Sequence, residues 1–387
     1  MSVLVVLGTR PEAIKLAPVV KELRARRVPT RVCVTGQHRE MLTPLLDLFR
    51  IVPDYDLDVM TPDQTLSSLT GSVLSKVEKV VADAAPDWVV VQGDTTTAMA
   101  ASLAAFYRRV PVAHVEAGLR TYDLDRPFPE EANRRIIDTV ARLYFAPTAR
   151  ARDNLLAEKV DPALVHLTGN TGIDALLDVA GMSYDVTRGP LAEIDFRRRV
   201  VLVTAHRREN FGKALHDICL AIRDLADRFE DVQIIYPVHL NPNVGGPVRR
   251  VLGDHQRITL LAPLDYVALV QLMRRSALIL TDSGGIQEEA PTFGKPVLIL
   301  RDVTERQEAI EAGCARIVGA DRDVIVSAAT ELLTDRLAYE RMARVANPFG
   351  DGHASRRIVD LLEGRGPVAP TEPAGATEPA GATAPAR

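Results

Sequence analysis

Cysteine is nearly absent from this chain: Cys33, Cys219 and Cys314 are the three it has. They stand far apart, which excludes a disulfide framework or a cysteine-held metal cluster and points to a reducing cytoplasm. Aromatic residues make up 5% of the chain, with one tryptophan. That is too few for the stacking platforms on which nucleic-acid bases are held. An excess of one charge is also missing. Lys and Arg number 47 against 51 Asp and Glu, a net of -4, so no basic footprint for nucleic acid is visible. No apolar run is long enough to span a bilayer. The opening, MSVLVVLGTRPE, has no basic stretch before its apolar run and meets charge by Arg10, so no signal peptide is expected. Two nucleotide motifs are lacking. Without G-x-x-x-x-G-K-[ST] there is no ordinary P-loop, and without G-x-G-x-x-G after the first apolar run a nicotinamide cofactor is not indicated.

What is present is an alternation of short buried strands and helices. Hydrophobic residues are 47% and charged residues 25% of the 387, ordinary values for a globular protein long enough for two α/β domains. Apolar runs at residues 3–7, 31–35, 88–91, 112–115, 143–146 and 165–168 predict strands, with helices between several of them. The rhythm restarts with strands at 200–204, 233–237, 258–261, 278–280, 297–300 and 316–318. Between the two series, residues 184–195 are irregular and contain Gly189-Pro190, the expected boundary. The predicted organisation is α/β: two doubly wound Rossmann-like domains, residues 1–185 and 186–352, facing across a cleft. A short helical segment over 353–366 follows. The repeat ATEPAGATEPAGATAPA in residues 367–387 has no large apolar residue and reads as a disordered tail.

The stretch LILTDSGGIQEEAPTFGKPVLIL, residues 278–300, organises the second series. A strand ends at Thr281-Asp282, Ser283-Gly284-Gly285 turns, and a helix is expected over 286–293. Two glycines let backbone N–H groups approach an anion, and the helix start adds partial positive charge. It reads as a diphosphate cradle, with Glu289 one turn on, where a carboxylate could hold sugar hydroxyls such as those of a ribose. A glycine turn that merely packs a helix on the sheet is the plain alternative.

Polar residues collect at the predicted strand ends of the first series: Arg10 and Lys15, then Asp94, then Glu116, with Glu130 and Glu131 soon after. Strand ends in a doubly wound sheet converge on one crevice. Carboxylates gathered there suit proton transfer, because desolvation and like charges raise a carboxylate pKa toward neutrality. Singly, each has a structural alternative. Asp94 could cap the next helix, Glu116 could pair with Arg120, and Glu130 could simply favour a helix start. From the other side, His206, Arg207, Arg208 and Arg306 could stabilise a departing diphosphate, although one or both of the adjacent arginines could be a surface pair. Asp123-Leu124-Asp125 is assigned to a mobile loop rather than a metal site, and His114, inside a strand, to the core.

Several motifs together resemble one family. They are Gly8-Thr9-Arg10-Pro11-Glu12, Gln37-His38-Arg39-Glu40-Met41, Gly93-Asp94-Thr95-Thr96-Thr97 and His114-Val115-Glu116-Ala117-Gly118-Leu119-Arg120. To these are added Pro129-Glu130-Glu131-Ala132-Asn133-Arg134, His206-Arg207-Arg208-Glu209, Pro237-Val238-His239-Leu240-Asn241-Pro242 and the cradle. In order, over roughly Met1 to Leu362, they look like the non-hydrolysing bacterial UDP-N-acetylglucosamine 2-epimerases, which have the GT-B fold. The resemblance implies interconversion of UDP-N-acetylglucosamine and UDP-N-acetylmannosamine through a glycal, a cytoplasmic homodimer, no metal and no redox cofactor, and a place in cell-surface polysaccharide biosynthesis. It implies active-site positions at Arg10, Lys15, Asp94, Glu116, Glu130 and His206. UDP-binding positions are implied at Ser283, Gly284, Gly285, Glu289 and Arg306. An activating second site is implied at Gln37, His38 and His239. Leu264 and Leu269 depart from the pattern, at or near positions that contact the uracil in relatives. A GT-B glycosyltransferase, or a hydrolysing epimerase releasing free N-acetylmannosamine, would share much of this pattern, and a non-catalytic nucleotide-sugar sensor is a third possibility.

Overall fold

The computed structural model describes residues 1–36, 39–61 and 63–366. The expected tail, Gln37 and His38 lie outside them. Among the described residues thirteen strands form two sheets, and every neighbouring pair is parallel. The first sheet holds β1 (Val3–Leu7), β2 (Thr30–Val34), β3 (Tyr55–Asp56), β4 (Trp88–Gln92), β5 (Val112–Val115), β6 (Leu143–Ala146) and β7 (Val165–Leu167). The second holds β8 (Arg199–Thr204), β9 (Val232–Pro237), β10 (Ile258–Leu261), β11 (Leu278–Thr281), β12 (Val297–Ile299) and β13 (Ala315–Ile317). Their orders are β3-β2-β1-β4-β5-β6-β7 and β10-β9-β8-β11-β12-β13. The α/β, doubly wound architecture expected from the alternation is therefore what forms.

The strands pair in parallel because helices cover both faces, so both faces must be apolar. β1 is VLVVL and buried throughout; β11 is LILT and likewise buried. In each sheet the order reverses between the first and fourth strands, at β1/β4 and at β8/β11. A crevice opens outside the carboxyl ends of the strands at such a reversal. The residues that follow these four strands are Gly8-Thr9-Arg10, Gly93-Asp94, Ala205-His206 and Asp282-Ser283.

Several helices were not legible in the sequence: Arg39–Leu48, Ala149–Ala157, Pro242–Leu252, Gln307–Ala312 and Arg336–Ala343. Pro44 and Pro247 lie inside two of them, and an interior proline argues against a helix unless packing offsets the lost hydrogen bond. The strand Tyr55–Asp56 is two residues long, too short to leave a pattern.

The last described helix returns to the first half. The helix Ala354–Leu362 packs beside the helix Arg10–Ala25. Arg26 reaches Asp360 at 2.5 Å and Glu363 at 2.9 Å. The buried carboxylate of Asp174 accepts the N–H of Ala354 at 3.2 Å and of Ser355 at 2.8 Å, supplying from another helix the cap that His353 does not. One apolar cluster runs from Val3 and Leu16 through Ile173 and Leu176 to Ile279, Ile286 and Ile358, so the halves share core as well as polar contacts.

Candidate active site

Glu116 follows β5 with a left-handed backbone, φ +66°. Residues with a Cβ avoid that region, and such outliers gather at functional sites. The turn delivers its carboxylate to Lys15 at 2.6 Å, with the two side chains only 8% and 18% exposed. Gln92, at the end of β4, also donates to Glu116. The alternative pairing with Arg120 does not form: Arg120 binds Asp138 and Glu158 instead.

Lys15 sits between the two halves electrostatically. Burial acts to lower its pKa, but Glu116 and then Glu288 from the second half more than offset this and hold the ammonium above its ordinary value. Glu288 is buried, and Arg306 Nε donates to it at 2.8 Å while Asn170 Nδ2, from the first half, donates at 2.9 Å. Burial would raise the Glu288 pKa, yet Arg306 and Lys15 bring it below the usual carboxylate range. Glu289, the next residue, is treated oppositely. Burial, and then the charge of Glu288, push it up to about 7, and the Tyr266 hydroxyl donates to it at 3.3 Å. Arg10 is exposed at the start of its helix, yet near enough for its charge to act on Glu289 and Tyr266.

The cradle differs in detail from expectation. Its helix spans Gly284–Glu289, starting two residues earlier than the predicted 286, and continues as a 3-10 turn over Ala290–Phe293. Pro291 lacks the N–H an α-helix would use there. Ser283 caps the helix start by position, without a side-chain cap bond. The Arg306 guanidinium lies over Gly284: a Cβ there would meet its Cζ at 3.0 Å and Nη1 at 3.2 Å. Gly285 is exposed and open.

Asp94 lies in the turn after β4, next to Gly93, whose missing Cβ would stand 3.9 Å from Glu116 Oε2. It does not cap the following helix, since Thr95 does. Its carboxylate pairs with Arg134 at 2.5 Å, and Asn133 donates to its carbonyl at 2.9 Å. Glu130 opens the helix Glu130–Val140 and is half-buried, with no side-chain hydrogen bond or ion pair among the described residues.

His206 follows β8. Its ring stacks on that of His239, with centroids 5.4 Å apart and planes at 12°. Its backbone N–H and that of Arg207 both bond to buried Asp282, each at 2.8 Å. No hydrogen bond or ion pair among the described residues joins His206 to Asp94, Glu116 or Glu130; the connection runs through Asp282 to the cradle. Arg208 is exposed, as a surface arginine would be, whereas Arg207 is half-buried and donates to the Asp282 carbonyl at 3.2 Å. His114 is fully buried between Asp138 and the Gly93 carbonyl, a core residue as expected. Asp123 and Asp125 lie in an exposed loop, and no group of three metal-ligating side chains exists among the described residues.

The sequence matches this geometry to known proteins. The family model for UDP-N-acetylglucosamine 2-epimerase matches residues 21–363. The UDP-N-acetylglucosamine 2-epimerase of Escherichia coli O157:H7 is 52% identical over 370 residues, covering 94% of this chain and 98% of that one. The chain belongs to the UDP-N-acetylglucosamine 2-epimerase family.

Solved structures in this epimerase family share the whole fold. The UDP-GlcNAc 2-epimerase from Neisseria meningitidis, bound to UDP-GlcNAc, superimposes with a TM-score of 0.83 at 46% identity, covering 94% of this chain and 100% of that one. The Methanocaldococcus jannaschii UDP-GlcNAc 2-epimerase, in complex with UDP-GlcNAc and UDP, gives 0.75 at 34% identity, covering 94% and 99%. The arrangement is accordingly GT-B-like. Of the residues singled out from the sequence, Arg10, Lys15, Glu116, Gly284, Glu289 and Arg306 come together, and Asp94 adjoins them. Sequence reasoning did not reach Gln92, Asn170, Tyr266, Asp282 or a distinct place for Glu288. Each acts through a partner far along the chain, and nothing local signals that. Leu264 and Leu269 pack partly buried against the shared core. Among the described residues no helix is long and apolar enough to cross a membrane.

Proposed function

We propose that this chain interconverts UDP-N-acetylglucosamine and UDP-N-acetylmannosamine by the non-hydrolysing route. The C2–H of an amido sugar is not acidic by itself. Breaking C1–O first puts positive character on C1 and acidifies C2–H. UDP leaves with the C1–O electron pair, a base takes the C2 proton, and a glycal with a C1=C2 double bond remains. Re-addition returns a proton to the opposite face of C2 and UDP oxygen to C1. No electrons are gained or lost, so the reaction calls for no redox cofactor, and the cations needed are side chains. The carrying observation is the Lys15–Glu116 pair, with Glu116 in a left-handed turn and Lys15 held by Glu288 of the other half.

In this reading Asp94, Glu116 and Glu130 share proton transfer and stabilise the oxocarbenium-like state. Arg10, Lys15, His206 and Arg306, with Ser283-Gly284-Gly285, stabilise the leaving UDP. Glu289 holds the ribose hydroxyls. Gln37, His38 and His239 belong to an activating second nucleotide-sugar site. The working protein is a cytoplasmic homodimer; three buried free cysteines accord with a reducing compartment.

Turnover of UDP-N-acetylglucosamine in D2O, followed by NMR without any acceptor, tests the route. The expected product is UDP-N-acetylmannosamine with deuterium at C2. Protium at C2 would remove the proton-exchange mechanism. Free N-acetylmannosamine would indicate the hydrolysing reaction, and no epimer at all a glycosyltransferase or a sensor.

A second expectation follows from the cradle. Gly284→Ala forces the Arg306 guanidinium aside, an overpacking that costs about 1–3 kcal/mol. UDP affinity measured by calorimetry should fall on the order of ten- to a hundredfold, with the fold intact. Unchanged affinity would mean that Arg306 does not contact the diphosphate from this position.

A further inference from the structure

Asp282 is fully buried at the end of β11. Its Oδ2 accepts three hydrogen bonds, from the backbone N–H of His206 and of Arg207 at 2.8 Å each and from Asn210 Nδ2 at 3.0 Å. Its Oδ1 is buried too and has no hydrogen-bond partner among the described residues. A carboxylate oxygen stripped of water and left without a donor is an unusual expense in a folded protein. The His206 ring is close by: Nδ1 stands 3.5 Å from Oδ1, about half an ångström longer than a typical hydrogen bond.

We propose that Asp282 is a positioning residue for His206: in the nucleotide-bound enzyme its free oxygen accepts the Nδ1–H of the imidazole, leaving Nε2–H for the departing diphosphate. The inference rests on the role given to His206 above. Three features make the closure a small one. The same carboxylate already holds the His206 backbone, so ring and acceptor are tethered together. The stack on His239 limits how the ring can turn. The ring is only partly exposed, at 39%, and needs no large displacement.

The charges facing His206 set the sense of the effect. Burial lowers its pKa, Asp282 from β11 raises it, and His239 from beyond β9 and Arg207 from its own loop lower it, with a net shift downward. An imidazole so placed loses its proton readily in the free protein. The closed bond to an anion favours the imidazolium, and a bound diphosphate acts in the same direction. Asp282 would thus keep cationic, during turnover, a histidine that its surroundings otherwise neutralise. This is the arrangement by which a carboxylate fixes the tautomer and orientation of a histidine that works through its other nitrogen.

The test is Asp282→Asn in the full chain, with kcat and kcat/KM for UDP-N-acetylglucosamine measured from pH 6 to 9. Without the anion the imidazolium is lost at lower pH, so the alkaline limb should move down by about one to three units. Activity near pH 6 should be the best preserved, which a general structural defect would not produce. A profile that superimposes on the wild-type after scaling would overturn the proposal. If the variant does not fold, the wild-type decides by 15N NMR with UDP bound. A protonated Nδ1 on His206 is expected, and an unprotonated Nδ1 overturns the assignment. Failure of the epimerase reading would look different: wild-type protein would form no epimer at any pH.

Discussion

Asp94→Asn, Glu116→Gln and Glu130→Gln should each lower kcat by about 10²- to 10⁴-fold, the range contributed by a positioned acid or base. The amides keep the size and shape of the side chains but neither accept a proton at these pH values nor carry charge toward C1. Glu116 offers the sharpest case. Its strained backbone, its short contact with Lys15 and its donor Gln92 all fix one carboxylate orientation. A side chain held that firmly is preorganised, and preorganised groups lose most when their chemistry is removed. Asp94 is held by Arg134, so Asp94→Asn removes a charge without removing the contact. UDP binding, read by calorimetry, should persist in all three, because the cradle, Glu289 and Arg306, which hold most of the nucleotide in this reading, are left intact. Near-normal turnover in any one of them would strike that residue from the proton-transfer set.

Lys15→Met should be nearly as damaging, for a different reason. It removes the cation that lies between Glu116 and the Glu288–Glu289 pair. Breaking a buried ion pair from one side costs about 3–5 kcal/mol. A fall in kcat/KM of about 10²- to 10³-fold is expected. The double variant with Glu116→Gln supplies the check. If the pair works as a unit, it is no worse than the more damaged single variant; if the two losses simply multiply, the residues act independently.

The elements legible in the sequence were those whose information is local. β1, β5, β6 and β10 coincide with largely apolar runs read directly, because strands of a parallel sheet covered by helices are mostly apolar. The cradle was legible because a Ser-Gly-Gly turn between a buried strand and a helix is a local arrangement. The helices Arg39–Leu48 and Pro242–Leu252 were not, since proline in each contradicts the pattern that packing imposes. Capping of the helix Ala354–Leu362 by Asp174 was equally hidden, as its two partners lie 180 residues apart.

The sequence by itself determined the class of fold, the two sheets, and which polar residues stand at strand ends, because strand ends are set by where an apolar run stops. It also determined the family, through motifs that each stay within a few residues. Tertiary structure alone decided the pairings: Glu116 with Lys15 rather than Arg120, Asp94 with Arg134 rather than the helix beside it, Glu288 with both Arg306 and Asn170. It also split adjacent Glu288 and Glu289, one kept ionised and the other pushed toward neutrality. The reason is physical. A carboxylate's charge state depends on burial and on the charges within a few ångströms, and here those include Lys15 and Arg10 from the opening of the sequence as well as nearer neighbours.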